Sequence, residues 1–185
     1  MKAKVILFAL IAAVFCACNQ DGIGDASLIE GGWDLRTADY DKTVYSDLEG
    51  YTHMKDSACT TVYEDKELVW LFYQGSVSMW SYYIYEGEGD WSGYNSDSYT
   101  RYTTEGEGAN MTLVLTSGSI IPGFGGVTTT RRYKVEKLTN KAMVLSITEQ
   151  MYNSDSRSPV DVHAVYTFKR ENSLLEYIRS VYPDL

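Results

Sequence analysis

Tyr133-Lys134-Val135-Glu136-Lys137-Leu138-Thr139-Asn140-Lys141-Ala142-Met143-Val144-Leu145 reads as a strand, a turn and a second strand. Tyr133 and Val135 before the turn, and Met143 and Leu145 after it, lie two residues apart, and Thr139-Asn140 supplies the turn, so the two strands are half-buried and antiparallel. The same period spreads outward in both directions. Downstream, Ile147 extends the second strand, and Val162, Ala164, Tyr166, Phe168 and Arg170 share one face of the last. Upstream, Met111, Leu113 and Leu115 define a strand that a Pro122-Gly123-Phe124-Gly125-Gly126 turn joins to Thr128–Leu138. Ser98–Thr104 is a polar, tyrosine-bearing strand. Before it, Glu67–Tyr73 is densely apolar and turns at Gln74-Gly75 into alternating Val77, Met79, Ser81, Tyr83 and Tyr85. Trp33, Leu35 and Thr37 alternate with Asp34 and Arg36 at the start. These eight strand candidates are joined mostly by short turns and by no long helical crossover. The expected fold is all-β: an eight-stranded up-and-down antiparallel barrel. Ser173-Leu174-Leu175-Glu176 fits a capping box, and Leu174, Leu175, Ile178, Val181 and Tyr182 repeat at helical spacing. A short C-terminal helix on the barrel wall follows. Residues 39–66 are long, mixed and poorly periodic, as in a lid that covers the open mouth.

The N-terminus carries an address. Lys2 and Lys4 precede an apolar run from Val5 to Phe15, and Phe15-Cys16-Ala17-Cys18 ends it. This resembles the lipobox of bacterial lipoprotein signal peptides. The resemblance implies a signal peptide at 1–17 and an acylated Cys18; a plain secretory signal cut after Ala17 is the alternative. The run is about eleven residues, too short for a roughly 20-residue bilayer span, so the chain is expected to be anchored to a lipid membrane, not to cross it. Residues 18–27 read as a tether and 28–185 as one domain. The tether reaches at most about 30 Å beyond the lipid. The expected location is the cell envelope, as an outer-membrane lipoprotein.

The formal net charge is −9, and loss of Lys2 and Lys4 with the signal would make it two units more negative. Nucleic-acid binding needs clustered Lys and Arg, so such a partner is excluded. Of three cysteines, Cys16 leaves and Cys18 is acylated, which leaves Cys59 without a partner and expected as a small buried hydrophobe. A monomer held by its core is expected.

Gly31-Gly32-Trp33 resembles the Gly-x-Trp motif that opens the first strand of lipocalins, with Arg170 near the end of the last strand. The Tyr133–Leu145 hairpin and the ending Tyr166-Thr167-Phe168-Lys169-Arg170 look like those of lipocalin-like lipoproteins of Bacteroidetes. Together these cover residues 28–170. The resemblance implies that Arg170 packs over Trp33 at the closed end of the barrel.

Trp70, Phe72, Tyr83, Tyr85, Tyr133 and Tyr166 fall on inward phases and are the candidate ligand-binding residues. An eight-stranded barrel either fills with such side chains or holds one small, mostly apolar ligand. The other reading is an envelope interaction module with a packed barrel, whose loops engage a protein or glycan. Glu86-Gly87-Glu88-Gly89-Asp90 and Glu105-Gly106-Glu107-Gly108 read as solvated turns. Calcium fails there because Trp91 occupies the loop position reserved for glycine. His53, Asp56 and Cys59 lack metal-ligand spacing, and His163 is out of phase with the interior. Asp56-Ser57-Ala58 resembles the O-glycosylation acceptor of exported Bacteroidetes proteins, with Ser57 as the acceptor. No nucleophile elbow, phosphate loop or dinucleotide fingerprint occurs, so binding rather than catalysis is expected, with an envelope hydrolase as the third reading, and no cofactor is implied.

Overall fold

The computed structural model describes residues 22–93, 98–121 and 125–181. The signal segment, Cys18, the Pro122-Gly123-Phe124 part of the expected turn and Tyr182 lie outside them. A 3-10 turn (Ala26–Ile29) leads into β1 (Gly31–Tyr40). Next come β2 (Thr43–Ser46), β3 (Thr52–Lys55), β4 (Cys59–Val62), β5 (Val69–Tyr73), β6 (Ser76–Tyr85), β7 (Glu88–Gly93) and β8 (Ser98–Glu105). The chain continues with β9 (Thr112–Ile121), β10 (Gly125–Leu138), β11 (Ala142–Asn153), β12 (Ser158–Glu171) and helix α1 (Ser173–Val181). Eight of these strands pair in chain order, β1-β5-β6-β8-β9-β10-β11-β12, and β12 returns to β1 to close an antiparallel barrel. The expected fold class is therefore observed, with a topology compatible with a lipocalin-like fold.

Closure is fixed at one end by the first and last strands. Trp33 pairs with Arg170 on one side and with Trp70 on the other. The Arg170 guanidinium lies 4.2 Å from the centre of the fully buried Trp33 ring. It donates to the carbonyls of Glu30 at 2.8 Å and Leu28 at 3.0 Å, while the Trp33 indole donates to Ile29 O at 2.7 Å. Burial lowers the Arg170 pKa, and the ring face and two carbonyls are what the cation has in place of water. Both preceding glycines are required. Gly31 sits at φ +122°, where a Cβ would also press on the Arg170 side chain, and a Cβ on Gly32 would run into the Glu171 carbonyl. The second half of the tether belongs to this end too: Gly24 N donates to Leu138 O at 2.8 Å, and Ile23 packs on the core.

The core follows strand alternation. Trp70 and Phe72 of β5 point inward, and Val69 and Leu71 point outward. The outward pair is covered by Leu174 and Ile178 of α1 and by Trp91 of β7, so the helix packs on the wall as expected.

The 39–66 segment carries more order than its periodicity suggests. β2 and β3 form a separate hairpin, and β4 runs collinear with β5 along the same edge of β1. Tyr63 N to Arg36 O (3.0 Å) and Leu68 O to Leu35 N (2.9 Å) carry that ladder to either side of a four-residue bulge, 64–67. The buried Asp34 carboxylate holds the bulge by accepting from Lys66 N at 3.1 Å and from Arg36 at 2.8 Å. Arg36 also pairs with Asp65. Burial pushes the Asp34 carboxyl up, against the pull of Arg36. Cys59, expected to be buried, is exposed, because β4 is the end strand of the sheet path with nothing beyond it to cover it.

Trp33→Ala should cost about 3–5 kcal/mol, since it removes a fully buried indole and leaves Arg170 without its ring. Gly32→Ala should also destabilise the fold, because the obstacle is backbone. Urea denaturation followed by far-ultraviolet circular dichroism checks both; a Gly32→Ala midpoint equal to that of the parent would remove the close-approach explanation.

Candidate functional site

Four of the six aromatic candidates meet inside the barrel. Trp70 lies 5.2 Å from Phe168, 6.1 Å from Tyr133, 6.3 Å from Phe72 and 6.4 Å from Tyr166, ring centre to ring centre. Tyr166 continues the layer to Tyr40 at 6.2 Å, and Phe72 continues it to Tyr102 at 5.1 Å. Trp70 is 5% exposed, Tyr133 3% and Phe72 fully buried, whereas Tyr166, Tyr40 and Tyr102 are half-buried. The lower barrel is filled. Burial raises the phenol pKa of Tyr133 and strongly raises that of Tyr166, which shares a hydrogen bond with Tyr40. Tyr133 and Tyr166 are therefore neutral at physiological pH. One polar atom in the layer is unsatisfied: Trp70 Nε1 is buried without a hydrogen-bond partner.

Above this layer the barrel wall parts. β10–β11 pairing stops at Lys134–Ser146; beyond it, among the described residues, β10 pairs only with β9, and β11 only with β12. Arg131 and Glu149 follow the inward alternation of Tyr133 and Ile147, and their ion pair at 2.8 Å spans the seam. On the other side, among the described residues, β6 pairs with β8 at Ser76–Arg101, next to a bond from Tyr102 N to Gly75 O at 3.0 Å.

Tyr83 and Tyr85 do not line the interior; they are 46% and 69% exposed. Their phase is the one expected, shared with the buried Val77, but the wall ends before them. β5 pairs with β6 only as far as Trp80, and from Trp80 to Tyr85 the partner is β7. The expectation missed β7 itself, whose alternation is acid then small or aromatic. Glu88, Asp90 and Ser92 fall on one face, and Gly89, Trp91 and Gly93 on the other. The two glycines leave room for the rings of Tyr82 and Trp80, while Trp91 seals the outer cluster. Lys66 Nζ caps that packed face, 5.1 Å from the Tyr82 ring and 5.7 Å from Trp91, and donates to Ser173 Oγ at 3.3 Å.

The β2–β3 hairpin stands at the open end, docked on the turn between β11 and β12. Thr52 O accepts from Ser154 N at 2.7 Å and from its hydroxyl at 2.6 Å. His53 clamps the same junction, with Nδ1 2.7 Å from Asp155 and Nε2 2.9 Å from Asp47. Carboxylates only accept, so both contacts are hydrogen bonds only when the ring carries two protons. The two carboxylates accordingly raise the His53 pKa, Asp47 most. Tyr45 stacks on the ring at 5.3 Å, with Lys55 over the tyrosine at 5.1 Å. Ser57 is exposed at the foot of this hairpin, its hydroxyl 3.0 Å from that of Thr43. Asp56 pairs there with Lys42, and His163 is exposed as expected. Among the described residues, no three His, Cys, Asp or Glu side chains group as metal ligands. An open groove of about 340 Å3 lies at the opposite, closed end, between Gly22–Gly24 and the Leu138–Asn140 turn.

No protein-family description, curated protein or solved structure matches the chain.

The clamp gives a pH dependence of known sign. A raised folded-state His pKa means that the His53 contribution to docking is fully present below the ordinary value of 6.5 and is lost as pH rises through the raised one. Hydrogen-exchange protection of the Ser154 amide should fall over that rise, and His53→Gln should flatten the dependence. Equal protection on both sides of the titration would show that the ring does not hold the hairpin.

Proposed function

We propose that this chain is a lipocalin-like lipoprotein of the cell envelope, held to a membrane through acylated Cys18, that recognises a protein or glycan partner with its open-end hairpins. Binding, not catalysis, is the role proposed. One observation carries the reading: the barrel interior is packed with aromatics while other aromatics stand in solvent. Tyr83 and Tyr85 on β6, Tyr45 and Tyr51 around the β2–β3 turn and Tyr152 on β11 are all exposed. Tyrosines left in water on a stable scaffold are characteristic of recognition surfaces, because their rings offer large contact area at low entropic cost. The closed end lacks such a surface among the described residues; its aromatic, Trp33, is buried under Arg170.

A second reading keeps the ligand inside. The unsatisfied Trp70 Nε1 favours it, since a small apolar molecule with one acceptor atom could meet that donor. Such a ligand would have to enter from the parted wall and displace part of the Tyr40–Tyr166 layer.

A photo-crosslinking residue placed in cells at Tyr51, Tyr85 or Tyr152 should give protein or glycan adducts, and one at Lys141 on the closed end should not. Adducts from Lys141 alone would overturn rim recognition. A co-purified small molecule that protects Trp70 from quenching would favour the interior reading. Cys18→Ser should lose its acyl mass and leave the membrane fraction, as checked by mass spectrometry and fractionation.

A further inference from the structure

We infer that the exposed face of the β6–β7 hairpin is a docking platform for a basic, extended polypeptide segment. This deepens the rim-recognition reading and rests on it. The hairpin has two unlike faces. One is packed near the barrel, with Trp91 and Trp80 against the outer cluster, and carries the exposed Ile84 toward its tip. On the other, Tyr83 stands directly across from Asp90, and Tyr85 directly across from Glu88. Each tyrosine thus has a carboxylate as its cross-strand neighbour, about 4.5–5.5 Å away at Cβ. Ser81 and Ser92 continue the face toward the barrel as a further cross-strand pair.

Nothing within the described chain answers this chemistry. Neither Glu88 nor Asp90 takes part in an ion pair among the described residues, unlike the carboxylates of Asp34, Glu105, Glu136 and Glu149. Asp90 Oδ1 accepts from Trp91 N at 2.8 Å, which holds the carboxylate in place without neutralising it. The missing element is a cation. An ammonium or guanidinium set over a tyrosine ring beside a carboxylate gains both a cation–π contact and an ion pair. The protein uses such cation–ring contacts on itself: Lys55 over Tyr45, Lys66 over Tyr82 and Trp91, and Arg170 over Trp33.

Spacing selects an extended segment. Tyr83 and Tyr85 are two residues apart on a strand, about 6.6–6.8 Å. Lys or Arg at alternate positions of an extended peptide have the same spacing, so two cations can meet two tyrosine–carboxylate pairs in register. The formal charge of −9 draws such a partner in and repels an acidic one.

The test uses the full chain in a non-ionic detergent and a fluorescein-labelled decapeptide of alternating Lys and Ser, followed by anisotropy at low salt. Tyr83→Ser with Tyr85→Ser should weaken binding by about tenfold although it changes no charge. Glu88→Gln with Asp90→Asn should weaken it at least as much. Glu107→Gln with Asp161→Asn removes the same charge elsewhere and should change it by less than about twofold. These positions are exposed, and an unchanged melting temperature confirms that each variant is folded. If the remote acids matter as much as the platform acids, or if the tyrosine variant binds like the parent, attraction is diffuse and the inference falls. It falls equally if cellohexaose binds the platform by calorimetry and the peptide does not. Crosslinks in cells from Tyr51 and Tyr152 without any from Tyr85 would leave rim recognition standing and overturn this platform alone.

Discussion

Stacking of Arg170 on Trp33 joins the last strand of the barrel to the first, and the remaining strands take their places between them. Such a contact is worth about 0.5–2 kcal/mol on its own. Its structural weight exceeds that figure because the same guanidinium satisfies the carbonyls of Leu28 and Glu30 that would otherwise be left at the end of the 3-10 turn. The bare backbone of Gly31 and Gly32 lets Arg170 and the Glu171 carbonyl approach. A sheet closed in this way has no free edge at its base. The edges reappear only where the wall parts, toward the open end.

That distribution explains what could be read from residues alone. The period-two pattern of Tyr133–Leu145 and of the last strand gave the hairpins, and eight such segments gave the barrel, because each buries one face against a common core. The inward aromatics at positions 70, 72, 133 and 166 were legible for the same reason. Tyr83 and Tyr85 were not. Alternation reports which face a side chain occupies, and their face is the inner one, but it cannot report that the opposing wall has ended. That information lies in where pairing switches from β5 to β7, which is a property of register.

The strands that escaped notice share a feature. β7 reads Glu-Gly-Asp-Trp-Ser-Gly from position 88, a composition that signals turns, because its glycines make room for rings from the neighbouring strand. β4 lies beyond a bulge whose anchor, Asp34, is a buried carboxylate on a different strand. In both cases the deciding contact is polar or steric in kind, and hydrophobic periodicity is blind to it. Cys59 follows the same logic. A cysteine without a disulfide partner is expected inside as a small hydrophobe, yet on the end strand of a sheet there is no inside.

The two halves of the barrel thus obey different constraints. The closed half is filled: its aromatic rings leave little room, so a ligand there would compete with packing that the fold already has. The open half is built from hairpins tied down at few points, by the His53 clamp at one and by Lys66 on the outer cluster at another. Substitutions at the tips of such hairpins disturb little of the core. A filled base therefore leaves the rim free to vary, and variation at the rim changes what the protein recognises without changing how it folds. This is the physical reason to look for function in the exposed tyrosines of β6 before the buried ones of β5.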